Sequence, residues 1–191
     1  MARGYAGTTM RAIAAKAQVS LPTVELLFGT KTRLLKAAID VAIAGDDEPV
    51  AVLDRDWTRT ALRAPTADEL LMIFASVLGP AQERSAGLVL ALFEGSTTDS
   101  DLADLATTMI NQRARTAAWL IDILTQKAPL RARCSKDEAI DTVWILMDPA
   151  VFNRLTRQRG WPLDRYQHWL ASSLERLLIN DCESQTKSPD D

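Results

Sequence analysis

The 191-residue sequence holds only two cysteines, Cys134 and Cys182, and a single histidine, His168. Two cysteines cannot form the disulfide framework that holds small secreted domains together. There is no H-E-x-x-H, no glycine-rich phosphate loop, no G-x-S-x-G and no paired-cysteine metal spacing, which leaves His168, beside Trp169 in a helical stretch, without catalytic company. No uncharged apolar run approaches the roughly 18 to 20 residues of a membrane span; the best, residues 88–93, has the length of a core segment. A basic start followed by an apolar stretch and a small-residue cleavage site is also missing. Alternating β-branched runs, the mark of strands, do not occur. These absences lead us to expect a soluble, all-α, cytoplasmic protein that is not an enzyme and needs neither metal nor cofactor.

Apolar residues make up 47% and charged residues 25%, enough to build a core and too apolar for wholesale disorder. The net charge of −3 conceals an asymmetry. Residues 1–45 carry Arg3, Arg11, Lys16, Lys31, Arg33 and Lys36 against Glu25 and Asp40, a net +4, whereas the remainder carries −7. A basic head on an acidic body is the pattern of a DNA-binding module joined to a different domain, because phosphate contacts need cations on one face only.

Helical spacing dominates. Thr8 and Thr9 can cap a helix to about Ala17 with Ile13, Ala14 and Ala17 on one face; Ser20 can cap a second, tolerating Pro22 in its first turn and stacking Val24 over Phe28. Gly29 ends it, Thr30 opens a third with Leu34, Leu35, Ala38 and Ala42 inward, and Gly45 closes that before the acidic stretch 46–49, read as a linker. Further helices are predicted at 67–78, 80–94 and 101–127. Another runs from Ser135 to Asp148, where Pro149 is expected to kink or interrupt it before a continuation to Gln158, and the last runs from Pro162 to about Asn180. Thr66 with Glu69 and Ser135 with Glu138 read as capping boxes. The domains expected are a head at 1–45, a helical body at 50–182 and a flexible tail at 183–191.

Two short helices with a tight turn between them describe a helix-turn-helix, whose second helix lies in a major groove. Gly4 and Tyr5, followed by TTMRAIAAKAQVSLPTVELLFGTKTRLLKAAID, closely resemble the DNA-binding head of TetR-family transcriptional regulators. The resemblance covers about 40 residues. It implies an effector-binding, dimerising helical domain behind the head, and a repressor released from operator DNA by a small molecule. By position, Thr9 opens the first helix of the motif against a phosphate, and Ser20, Leu21, Pro22 and Thr23 begin the recognition helix, with Glu25 and Leu26 further along it. Phe28 anchors that helix, and Lys31 contacts the backbone. Unpaired helix-start N–H groups and a nearby lysine suit phosphates.

Three departures stand out. Glu25 replaces a tyrosine that usually touches the DNA backbone, and is expected to pair with Arg11 or Lys16 or else accept from a cytosine amino group. Leu27 stands where a second tyrosine or histidine is usual. Gln18 replaces a turn glycine of left-handed conformation, implying strain or an altered turn. The family also has a full helix before the positions of Gly4 and Tyr5, where this sequence has Met1, Ala2 and Arg3. Either the true start lies upstream and this sequence is truncated, or the helix is lost. Its loss would uncover Ile13, Val24, Leu27 and Phe28, at about 1 to 2 kcal/mol of burial each, and the alternative function is then a dimeric all-α binding protein that no longer reads DNA.

In the body, Trp144, Met147, Val151 and Leu155, and Trp169, Leu170, Leu174, Leu177 and Leu178, recur at helical spacing, and by resemblance the last two helices form a homodimer interface. Phe93, Met109, Arg113, Trp119 and Trp144 are the nominated effector pocket, since aromatic walls with one cation suit an amphipathic or anionic molecule.

Overall fold

A computed structural model of the chain describes residues 4–179, and among these the regular elements are all helical. They are α1 (Met10–Lys16), α2 (Leu21–Phe28), α3 (Lys31–Ala44), α4 (Asp56–Arg63), α5 (Ala67–Gly95), α6 (Ser100–Lys127), α7 (Lys136–Leu146), α8 (Pro149–Asn153) and α9 (Leu163–Leu178). The tail 183–191 and residue 180 lie outside the described residues.

Most starts are fixed by the side chains expected. Thr9, Ser20, Thr30 and Thr66 accept from the backbone N–H three residues on, supplying an orphan donor with a partner. Ser135 and Glu138 form a complete capping box; at Thr66 only the bond from Glu69 N–H forms. Gly29 and Gly45 end α2 and α3 with φ of 70° and 91°. The sequence reading assigned no helix between the linker and Thr66, yet Val52–Asp54 forms a 3-10 turn and α4 follows. Trp57 Nε1 donates to the Val52 carbonyl at 2.8 Å and ties the two together.

The two prolines within helical stretches act in opposite ways, and at the first the structure differs from expectation. The separate helices at 67–78 and 80–94 are one, α5, with Pro80 inside it. Proline removes the N–H that would bond the Ser76 carbonyl; Gln167 Nε2 of α9 lies 3.3 Å from that carbonyl and bonds it instead. Gly79 makes the approach possible, since a Cβ there would sit 2.9 Å from Gln167 Cγ. At Pro149 the opposite happens. Of the kink or interruption expected there, the interruption forms, because Asp148 turns extended and accepts from Ala150 N–H at 2.7 Å, capping α8 as a new helix that passes into a π-turn at Arg154–Gln158.

Two apolar clusters hold these helices. The larger unites α5, α6, α7, α8 and α9 around Leu71, Phe74, Leu120, Val143, Phe152 and Tyr166. Leu170, Leu174 and Leu178, with Met147, are buried in it. The stripe on the last helix is therefore core within one chain rather than a dimer face, and it leaves Leu177 and, on α7, Ile145 exposed. The smaller cluster packs Leu35 and Ile39 of α3 against Val89, Leu92, Leu102, Leu105 and Met109 of α5 and α6, seating the head on the body.

Candidate nucleic-acid interface and effector cavity

In the head, α1 and α2 cross at a turn formed by residues 17–20. Gln18 has φ of 58° and is the one non-glycine residue at positive φ among those described. The left-handed turn expected of a glycine is kept, and a side chain carries its steric cost. Ala14 and Val24 are buried where the two helices meet, Ile13 and Phe28 are half-buried, and Leu27 is exposed. Val24 thus keeps its cover from α1.

The residues nominated for DNA fall on the outer side of this pair. Thr9, Pro22, Thr23, Glu25 and Leu26 are exposed and Leu21 is half-buried. Ser20, exposed ahead of α2, accepts from Thr23 N–H at 3.2 Å, and its Oγ lies 2.7 Å from Thr23 Oγ1. Glu25 makes no ion pair with Arg11 or Lys16, which corrects the expected pairing. The geometry of α2 explains this: at about 100° per residue, Glu25 stands a quarter-turn from the Val24 face that meets α1. Glu25 is exposed on the outer side of the pair.

Lys31 is already engaged. Its Nζ donates to the Tyr5 carbonyl at 2.7 Å and sits 3.8 Å above the Tyr5 ring. The Tyr5 hydroxyl lies 3.2 Å from Thr32 Oγ1, and its ring packs toward Gly95, where a Cβ would meet it at 3.5 Å. The lysine therefore fastens the N-terminal turn to the start of α3, and a phosphate contact from this position would share it with that duty.

Behind the head lies a cavity of about 770 Å³ between α3, the 46–55 segment, α5 and α6. Phe93, Met109 and Arg113 line it as nominated; Trp119 and Trp144 do not. Trp119 stands one layer out, packed edge-to-face on Trp57, which does line the space, with centroids 5.0 Å apart. Trp144 lies under Arg113, whose guanidinium is 4.3 Å from its ring centroid. Arg113 is no surface residue. Its side chain is 10% exposed and Nη2 pairs with Asp148 at 2.8 Å. Burial pushes the guanidinium pKa down against the opposing pull of Asp148.

Sequence reasoning missed Gln82 and Ser85, both buried and both on the cavity wall. Gln82 Nε2 donates to the Met147 carbonyl at 2.7 Å, which fixes the amide orientation and leaves Oε1 buried without a partner. The signal was present: two polar residues three apart on the apolar face of α5. At the rim, Asp46 receives a two-pronged ion pair from Arg55 at 2.6 and 2.8 Å. That bond, with the Glu48 N–H, holds the Asp46 pKa at about 2. Arg84 donates from Nε and Nη2 to the Ala42 and Ile43 carbonyls, closing the C-terminal end of α3 with a cation.

Outside these two regions, His168 is exposed, with Nδ1 2.8 Å from the Asp164 carbonyl. No described helix is long and apolar enough to cross a membrane.

Comparison with known proteins agrees with this architecture. Residues 1–38 match the model of bacterial regulatory proteins of the tetR family. No curated protein matches the chain. Among solved structures, a protein from Saccharomonospora viridis described as a transcriptional regulator, in complex with choline, is similar in fold, with a TM-score of 0.67 and 20% identity over 94% of this chain and 91% of that one. Residues 1–38 thus hold a helix-turn-helix head similar to that of the tetR family, and the helical body behind it shares its fold with the Saccharomonospora viridis protein.

Proposed function

We propose that the chain is a TetR-family regulator, a homodimeric repressor of the cytoplasm that holds a palindromic operator until a small molecule enters the cavity behind the head. The observation that carries the reading is the double service of α3. Its Leu35 and Ile39 seat the head on α5 and α6, while Ala37, Val41 and Ile43 form one wall of the cavity. A molecule filling that space touches the helix that sets the angle of the head, and its differential affinity for two settings of α3 is what shifts the operator affinity.

The wall chemistry favours a neutral or cationic amphipath. Arg113, the cation nominated for an anionic ligand, is already balanced by Asp148. Trp57, Phe74 and Phe93 offer aromatic faces, Gln82 Oε1 offers an acceptor, and Asp47 and Glu48 stand at the rim. A quaternary ammonium on an aromatic face is a favourable contact, and the similar Saccharomonospora viridis protein was crystallised with choline. Choline and bulkier quaternary amines are accordingly the first probes. For the dimer, Ile145 and Leu177 are the apolar groups left outward on α7 and α9.

Gel-shift titrations on an operator selected from random duplexes, with each probe added, test the scheme. Ala81→Leu, which fills part of the cavity wall, is expected to keep operator binding and lose the response to the effector. A variant that still responds would place the effector elsewhere.

A further inference from the structure

The recognition helix α2 is unusual in what it offers a base edge. Its eight residues, LPTVELLF, include no lysine, arginine, asparagine, glutamine or histidine. The one side-chain hydroxyl, that of Thr23, lies 2.7 Å from Ser20 Oγ in a bond that either hydroxyl can donate. In the major groove guanine presents only acceptors, N7 and O6, and against them this helix has at most one hydroxyl and no bidentate donor.

What it does present is carbon. Leu26 is 87% exposed and Leu27 69% exposed. With Val24 buried against α1, advancing about 100° per residue puts Leu26 and Pro22 nearly opposite the packed face. Thr23 and Leu27 flank them on one side and Glu25 on the other. Cations able to hold phosphates are near at hand, since Arg11, Lys16 and Arg33 are exposed and make no ion pair among the described residues. Exposed leucines on the groove side of a head with a net charge of +4 lack an explanation in stability, and an apolar partner inside the major groove exists in the 5-methyl group of thymine.

We propose that α2 selects its half-site through thymine methyl groups, with Leu26 as the reading side chain and Thr23 and Leu27 beside it. This rests on the reading of the head as DNA-binding and adds what it recognises. Positioning comes from the phosphate contacts, and discrimination comes from burying methyl groups against leucine, with no requirement for a bidentate hydrogen bond.

The test uses the full chain and a pool of random duplexes. From the enriched duplexes, each thymine is replaced in turn by deoxyuridine, which removes the methyl group and keeps every hydrogen-bonding atom. We expect at least one thymine per half-site at which the change weakens binding about fourfold, the equivalent of one buried carbon group. In Leu26→Ala, whose side chain touches little in the free protein, that sensitivity should disappear, and a melting curve checks that the variant is folded. A pool that enriches no duplex refutes the DNA-binding reading itself. Enriched duplexes indifferent to deoxyuridine refute only the methyl readout, as does a Leu26→Ala protein that remains equally sensitive, because DNA shape would then be the cause. If Leu26→Ala changes the association state instead and leaves the deoxyuridine response intact, the leucines serve a protein contact and the proposal fails.

Discussion

Arg113 and Asp148 form an unequal pair, and their inequality sets the order of three variants. Arg113 is 10% exposed and stacked on Trp144, while Asp148 is 27% exposed and also caps α8 through Ala150 N–H. At contact distance and an effective dielectric near 20 the two charges attract by about 4 kcal/mol, offset by several kcal/mol of desolvation on the more buried partner. Asp148→Asn preserves the cap, since asparagine caps as well as aspartate, but strands the guanidinium in a site that already disfavours its charge; about 3 kcal/mol of stability should be lost. Arg113→Met keeps much of the stacking volume and strands only the better-hydrated carboxylate, so about 1 to 2 kcal/mol should be lost. The double variant removes both charges and is expected within about 1 kcal/mol of the natural protein. Urea unfolding followed by circular dichroism, with comparable slopes, reads all three midpoints. Additive single losses, or a greater loss in Arg113→Met than in Asp148→Asn, would refute this account of the pair.

Gln18→Gly should stabilise the protein by about 0.5 to 1 kcal/mol, the relief of a left-handed side chain less the added freedom of unfolded glycine, measurable as a raised urea midpoint. Glu25→Gln should raise DNA affinity, most at low salt, by on the order of 1 kcal/mol per half-site; lower operator affinity with unchanged binding to random DNA would make Glu25 a base-reading residue instead. Leu174→Ala should cost about 2 to 5 kcal/mol of folding stability. Leu177→Asp should leave the fold intact and weaken the proposed dimer in light scattering; an unchanged association state would remove Leu177 from its interface. Burial, aided by Asp148, raises the Tyr166 pKa from its usual 10. The neutral phenol therefore contributes stability that is complete below pH 10 and declines above it, and an ultraviolet titration should show Tyr166 ionising only well above pH 10 or on unfolding.

What the sequence determined by itself was local. A threonine or serine at a helix start, a glycine at its end and Ser135 with Glu138 act within four residues, so the caps and most helix ends were legible. The left-handed turn at Gln18 was read from the pattern around it. What needed the tertiary structure was every case in which a group's partner lies far along the chain. Gln167 rescues the Ser76 carbonyl from 91 residues away and turns an expected break at Pro80 into a continuous helix. The apolar stripe on α9 was visible, but whether it faces a partner copy or its own core depends on what packs against it, and Leu170, Leu174 and Leu178 are filled from within. Arg113 reads in sequence as the pocket's free cation, because the ion pair with Asp148 that balances it comes from another part of the chain. The cavity, too, is defined only where α3, α5 and α6 converge, for periodicity fixes which face of a helix is apolar and the packing of other helices decides which part of that face stays uncovered.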